Sequence, residues 1–226
     1  MNTFMILIFD LDDTLYSEKQ YAISGFKAVA NYVFSNYKVP VSETIDILLN
    51  SLEKGNRANA FQRLIASNNL PKGSVTKLVA VYRKHKPDIH LDIDAEKVLN
   101  RYADIHKYVV TDGNRIVQRN KISALKLDKV LERSLITHSF GLSASKPSIY
   151  CFQKIKDIER VEWKDMVYIG DDPKKDFVNL KPLGVTTIRV LKGWHAGVNV
   201  PEEFEAEFRI STLEGLERVL ELRYAE

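Results

Sequence analysis

The stretch Phe4-Met5-Ile6-Leu7-Ile8-Phe9-Asp10-Leu11-Asp12-Asp13-Thr14-Leu15 joins six apolar residues directly to three carboxylates within four positions. The apolar part is continuous instead of alternating, which predicts a short parallel strand covered on both faces. It is too short to span a membrane, and it lacks the basic start and small-residue cleavage site of a signal peptide. Acids crowded at a strand end repel one another unless a cation shares them. Taken alone, the turn reads either as a solvated acidic cap on a helix or as part of a cation site.

Four further runs have the same character: Tyr108–Thr111, Leu135–Thr137, Met166–Ile169 and Thr186–Leu191. Helical patterns separate them at Ile116–Leu125, Pro147–Ile158 and Pro173–Leu180, and a last amphipathic helix is expected over Leu213–Leu222. This rhythm predicts an α/β core with a parallel sheet and helices on both faces. About ninety residues separate the first strand from the second, too many for one crossover. They show helical periodicity at Glu18–Phe34, Ser42–Leu52, Ala58–Ser67 and Ser74–Lys84, with breaks at Val39-Pro40, Gly55-Asn56 and Leu70–Gly73. The expected organisation is a core made of residues 1–16 and 91–226, with residues 17–90 as an inserted four-helix domain. Ligands of open α/β sheets lie beyond the carboxyl ends of the strands, so an insertion leaving the end of strand one is a candidate lid.

Composition narrows the function classes. The chain has 226 residues, 45% hydrophobic and 28% charged, with 33 basic against 30 acidic side chains and a net charge of +3. That balance excludes disorder and gives no basic footprint for nucleic acid. One cysteine, Cys151, permits neither a disulfide framework nor a cysteine zinc site, and it suits a reducing cytoplasm. The expected protein is soluble and cytoplasmic, with no membrane partner.

Three other strand ends carry polar groups. Strand four runs into Gly170-Asp171-Asp172-Pro173-Lys174-Lys175-Asp176, a second acid cluster that meets the first if strands one and four are neighbours. Oxygen ligands without a Cys or His cluster suit Mg²⁺ better than zinc. Strand two ends in Thr111-Asp112-Gly113-Asn114, where a hydroxyl and free backbone N–H groups suit a phosphate oxygen. Ser145-Lys146-Pro147 follows strand three, with Pro147 expected in the first turn of a helix and Lys146 at its mouth.

In order and spacing, these residues resemble the four motifs of the haloacid dehalogenase (HAD) superfamily of phosphohydrolases. Asp10 to Thr14 resembles the first motif, Thr111 the second, Lys146 the third, and Gly170-Asp171 through Asp176 the fourth. The resemblance implies a Rossmann-like core with a C1-type helical cap at residues 17–90. It implies that Asp10 is a nucleophile forming an aspartyl-phosphate and that Asp12 is a general acid and base. It implies phosphate binding by Thr111, the backbone of Asp112 and Gly113, and Lys146. Mg²⁺ would be held by Asp10, the Asp12 carbonyl and Asp171, with Asp176 in support. The implied substrate is a small phosphate ester, a sugar phosphate or nucleoside monophosphate. Asp12 with Asp171 argues against carbon–halogen cleavage. Gly170, where β-phosphoglucomutase-like enzymes typically carry Glu, argues for a phosphatase. A phosphomutase and a non-catalytic phospholigand-binding protein are the alternatives. Substrate specificity is assigned to Lys19, Asn56, Arg57 and Asn114. Asp13 and Asp172 are expected to make local caps, His195 to be a free surface residue, and Cys151 to be buried packing.

Overall fold

The computed structural model of the chain describes residues 5–53 and 59–224 and divides into two compact units, Met1–Glu18 with His90–Glu226, and Lys19–Ile89. The first unit is a Rossmann-like α/β fold. Its six strands, β1 (Ile6–Phe9), β2 (Lys107–Thr111), β3 (Arg133–Ile136), β4 (Met166–Gly170), β5 (Thr186–Val190) and β6 (Phe208–Ile210), form one sheet in the order β3-β2-β1-β4-β5-β6. Every pairing is parallel.

Alternation along the strands explains the layers. Ile6 and Ile8 of β1, Tyr108 and Val110 of β2, and Met166 and Tyr168 of β4 share one buried cluster with Cys151, Phe152 and Ile155 of α7 (Tyr150–Glu159). The alternate residues Leu7, Phe9, Val109, Val167 and Ile169 are also fully buried, so both faces of the sheet are covered. Other helices of this unit are α5 (Ile93–Arg101), α6 (Arg115–Ala124) and α8 (Leu216–Tyr224).

β1 lies between β2 and β4, with Phe9 in register with both Val109 and Ile169. The chain order reverses direction across β1, which is the switch point where such sheets hold ligands. Residues following β1, β2 and β4 therefore leave the sheet together at one edge.

Some elements differ from expectation. β6 has no counterpart in the sequence reading: three residues behind an acidic run carry no readable periodicity, and pairing with β5 makes them a strand. α5 was also unexpected; its buried positions are Ala95, Val98 and Leu99, a narrow stripe in a polar segment. Pro173–Leu180 forms turns instead of a helix: Lys175 and Asp176 N–H groups both reach the Asp172 carbonyl, and the next bonds close on Phe177. Pro147 is not in a helical turn, because α7 starts at Tyr150 and the Lys146–Pro147 peptide is cis. The final helix begins as a 3₁₀ turn at Leu213–Gly215.

The second unit contains α1 (Glu18–Tyr37, apart from its first residue), α2 (Val41–Glu53), α3 (Ala60–Ser67) and α4 (Ser74–Lys84). Its core draws Phe26, Val29 and Val33 from α1, Leu48 and Leu52 from α2, Leu64 from α3 and Leu78 from α4. Among the described residues, no helix is long and apolar enough to cross a membrane. Gly25 lets α1 approach α4, because any Cβ there would overlap the Tyr82 ring. Gly25→Val is expected to lose about 1–3 kcal/mol through overpacking, read as a lower midpoint in urea unfolding; an unchanged midpoint would show that Tyr82 moves aside freely.

Candidate active site

Asp10 directly follows β1, and its N–H donates to the Ile169 carbonyl of β4 at 2.8 Å. That bond fixes the carboxylate where the two strands end. Lys146 Nζ lies 2.6 Å from Asp10 Oδ1 and 2.7 Å from Asp176 Oδ1, and it donates to the Tyr168 hydroxyl at 2.9 Å. Tyr168 in turn donates to Asp176 Oδ1 at 3.0 Å, while Asp176 Oδ2 accepts the Asp172 N–H. Both Asp176 oxygens are thus engaged by the protein. Gly170 is required for this packing, since a Cβ there would stand 2.5 Å from Asp176 Oδ2. Burial pushes the Asp10 carboxyl up to about 7, with Lys146 opposing and Asp176 and Asp171 reinforcing the rise. Burial works against the Lys146 charge, yet Asp10 and Asp176 hold its ammonium well above the ordinary lysine range.

Asp12 has a separate set of partners. Lys121 Nζ contacts both of its oxygens, at 2.7 and 2.9 Å, Gln118 Nε2 donates to Oδ2 at 3.0 Å, and the Tyr16 hydroxyl donates to Oδ1. Burial alone would raise this carboxyl, but Lys121 with the Tyr16 and Gln118 hydrogen bonds holds it below the usual range.

Thr111, at the end of β2, is buried, and its Oγ1 accepts from Gln118 Nε2 at 2.9 Å. Asp112 accepts from Thr137 Oγ1 at 2.6 Å and from the Lys146 N–H at 3.1 Å. Its carboxylate therefore ties the second strand end to the segment carrying Lys146. Gly113 has φ +129°, a conformation L side chains rarely adopt, and Gln118 packs against it. Asn114 caps α6 by accepting from the Ile116 and Val117 N–H groups, leaving its amide nitrogen exposed to other partners.

After β4, Asp171 Oδ2 accepts from His195 Nδ1 at 2.7 Å, and His195 Nε2 lies 3.7 Å from Asp172. His195 is thus not a free surface residue: Arg189, buried on β5, donates to its carbonyl at 2.6 Å and holds the loop against the site. Nothing in the local sequence marks this, because His195 lies 24 residues from Asp171. Asp13 accepts the Trp194 N–H at 3.2 Å and the Glu18 N–H at 2.8 Å. Gly193, at φ +57°, leaves room for the Asp13 carboxylate. Burial pushes Asp171 up to about 6, with His195 opposing. Hydrogen bonding to Asp171 raises His195.

Asp10, Asp12, Asp13, Thr111, Asp112, Asp171, Lys175 and His195 line one cavity of about 180 Å³, with Glu18 and Trp194 at its margin. Lys175 was not singled out in the sequence; it stands 3.5 Å from Asp172 and 3.9 Å from Asp112. A larger cavity of about 840 Å³ lies beside β3 and contains none of these acids. Lys19 is exposed in the second unit, and Asn56 and Arg57 lie outside the described residues. Cys151 is buried in the sheet core, as expected.

The donor set fits a hard divalent cation. The Asp171 charge adds to the destabilisation of the Asp10 carboxylate, and the Asp12, Asp13, Thr111 and Asp112 oxygens belong to residues lining the same cavity. Among the described residues, no three carboxylate or imidazole side chains converge as a ready ligand set. Two carboxylates with backbone, water and phosphate oxygens are the incomplete cage that Mg²⁺ accepts.

A family model described as haloacid dehalogenase-like hydrolase matches residues 7–190. The chain is 26% identical over 223 residues to a glyceraldehyde 3-phosphate phosphatase of Methanocaldococcus jannaschii, covering 93% of this chain and 94% of that protein. A structure of YfnB from Bacillus subtilis bound to magnesium matches with TM-score 0.66 at 18% identity, over 96% of this chain and 98% of that one. A 2-haloacid dehalogenase from Pseudomonas syringae matches with TM-score 0.64 at 18% identity, over 96% and 97%. These structural likenesses establish the shared fold.

A carboxyl raised in the folded state binds protons there that the unfolded chain has already lost, so stability falls as pH rises from about 4 to about 7. Asp10→Asn removes that penalty. Without added divalent cation, the variant is expected to melt a few degrees above wild type at pH 8, with the gain shrinking toward pH 5. Thermal melts at both pH values check this, and a variant no more stable at pH 8 would contradict it.

Proposed function

The chain belongs to the haloacid dehalogenase-like hydrolase family, and on that premise we propose that it is a phosphomonoesterase acting on a small sugar phosphate through an aspartyl-phosphate. The observation that carries the reading is the meeting of Asp10, Asp12, Thr111 and Asp171 around one small cavity, with Lys146 against Asp10. The relative named glyceraldehyde 3-phosphate phosphatase favours a short sugar phosphate as substrate.

In this mechanism an Asp10 oxygen attacks phosphorus, forming the aspartyl-phosphate as the bond to the leaving oxygen breaks. Asp12 gives that oxygen its proton. Asp12 then takes a proton from water as the water oxygen attacks phosphorus, and the bond to Asp10 breaks to release phosphate. Thr111, the N–H groups of Asp112 and Gly113, and Lys146 bind and orient the phosphoryl oxygens. Lys146 also keeps Asp10 aligned, with Asp176 and Tyr168 holding its ammonium. Mg²⁺, held by Asp10, the Asp12 carbonyl and Asp171 with Asp176 in support, would offset the repulsion between a phosphate dianion and the carboxylates. The helical insertion, residues 17–90, is assigned as a cap that selects the leaving group, with Lys19, Asn56 and Arg57 as its candidate contacts and Asn114 as a candidate from the core. Gly170, where β-phosphoglucomutase-like enzymes typically carry Glu, favours hydrolysis over phosphomutation.

Phosphate release should be assayed on a panel of sugar phosphates and nucleoside monophosphates, with Mg²⁺ and with chelator. Release is expected with Mg²⁺, to be lost with chelator, and to fall at least about 10⁴-fold in folded Asp10→Asn. Turnover retained in that variant would overturn the mechanism. An isomeric phosphate ester in place of free phosphate would assign a mutase.

A further inference from the structure

Helix α6 presents two side chains, Gln118 and Lys121, one turn apart and so on the same face. The ammonium of Lys121 bridges both Asp12 oxygens at 2.7 and 2.9 Å, and its side chain is only 3% exposed. Gln118 Nε2 sits within 3.0 Å of Asp12 Oδ2, 2.9 Å of Thr111 Oγ1 and 2.5 Å of the Asp112 carbonyl. Three acceptors around it require the nitrogen, not the oxygen, to face them. With Tyr16 on Oδ1, these groups leave the Asp12 carboxylate no free rotation.

Such a clamp is poorly explained as a stabilising device. Burying an ammonium costs several kcal/mol that a single ion pair only partly recovers. What it secures is geometry. Asp10 and Asp12 are two residues apart, yet each has its own buried ammonium: Lys146 for Asp10 and Lys121 for Asp12. Gln118 further links Asp12 to the Thr111 hydroxyl, so the proton-transferring carboxylate and the phosphoryl-binding strand end are held at a fixed separation.

We propose that Lys121 and Gln118 are positioning residues that aim the Asp12 carboxylate at the leaving-group oxygen and then at the hydrolytic water. The inference rests on the reading of Asp12 as general acid and base given above. It assigns a role in proton transfer, with no direct contact to substrate.

Leaving-group dependence tests this. An alkyl phosphate needs a proton on its departing oxygen, whereas p-nitrophenolate leaves without one. In Lys121→Met, kcat/KM, which reports the steps through leaving-group release, is expected to drop about 100-fold on the best alkyl phosphate and less than about 10-fold on p-nitrophenyl phosphate, while kcat, which includes attack by water, falls on both. Lys121→Arg should recover most of the loss. In an Asp12→Asn background, Lys121→Met should cost nothing further. Equal losses of kcat/KM on both esters, or additive losses in the double variant, would overturn the proposal. Circular dichroism establishes folding; should Lys121→Met not fold, Gln118→Met carries the same two-ester comparison, with the same sign expected and equal losses again overturning the proposal. A wild-type enzyme releasing no phosphate from any ester, or an active Asp10→Asn variant, would instead overturn the underlying phosphatase reading.

Discussion

The structure turns on a buried ammonium. Lys146 lies between the carboxylates of Asp10 and Asp176 with the Tyr168 hydroxyl as a third partner. It opposes the rise that burial, Asp176 and Asp171 impose on the Asp10 carboxyl, and without it that carboxyl would stay protonated further above about 7. A neutral carboxyl at the end of β1 is no nucleophile. Removing Lys146 would strand two buried carboxylates, which typically costs about 3–5 kcal/mol, although a buried pair itself adds little net stability. The cluster therefore constrains its neighbours more than it stabilises the fold. Gly170 stays bare so that Asp176 can pack over it, and Asp112 holds the Lys146 backbone while Lys146 holds Asp10.

The two carboxylates of Asp10-Leu11-Asp12 show how environment separates roles. Burial raises Asp10 to about 7, whereas Lys121, Tyr16 and Gln118 overcome burial at Asp12 and lower it. Paired groups pushed apart in this way mark a division of chemical labour. A phosphate dianion arriving beside Asp12 acts in the opposite sense to Lys121 and raises its carboxyl toward the range of a proton donor. On the proposed mechanism, the free enzyme would hold the form that accepts a proton from water, and substrate would favour the form that gives one.

Most of the sheet was legible because β1, β2, β4 and β5 are buried along their whole length. Ile6–Phe9 and Met166–Gly170 are continuous apolar runs, and their ends name the acids that meet. The short strand Phe208–Ile210 was not legible, because three residues carry no period. Helix α5 was hidden by a stripe of only Ala95, Val98 and Leu99. Within the site, Asp10, Asp12, Thr111 and Asp171 stand at strand ends and were readable from position. Lys121, His195 and Lys175 were not, since what matters for each is a partner distant along the chain or across the cavity. Lys121 lies 109 residues from Asp12, and no local pattern sets a helix-face lysine that meets a carboxylate apart from one that meets water.

A common fold does not choose the chemistry, since a 2-haloacid dehalogenase superposes on this chain nearly as well as a magnesium-bound hydrolase does. The choice lies in the few groups facing the cavity. At about 180 Å³ it is smaller than the roughly 300–1,000 Å³ of typical small-molecule pockets, which suits a phosphoryl group and its immediate ligands better than a whole sugar phosphate. Such a cavity reads charge and tetrahedral oxygen geometry. It is blind to the leaving group beyond the first oxygen, so recognition of the remainder must come from residues outside it. On the proposed reading, the strand ends set the reaction class and residues outside this cavity set the substrate.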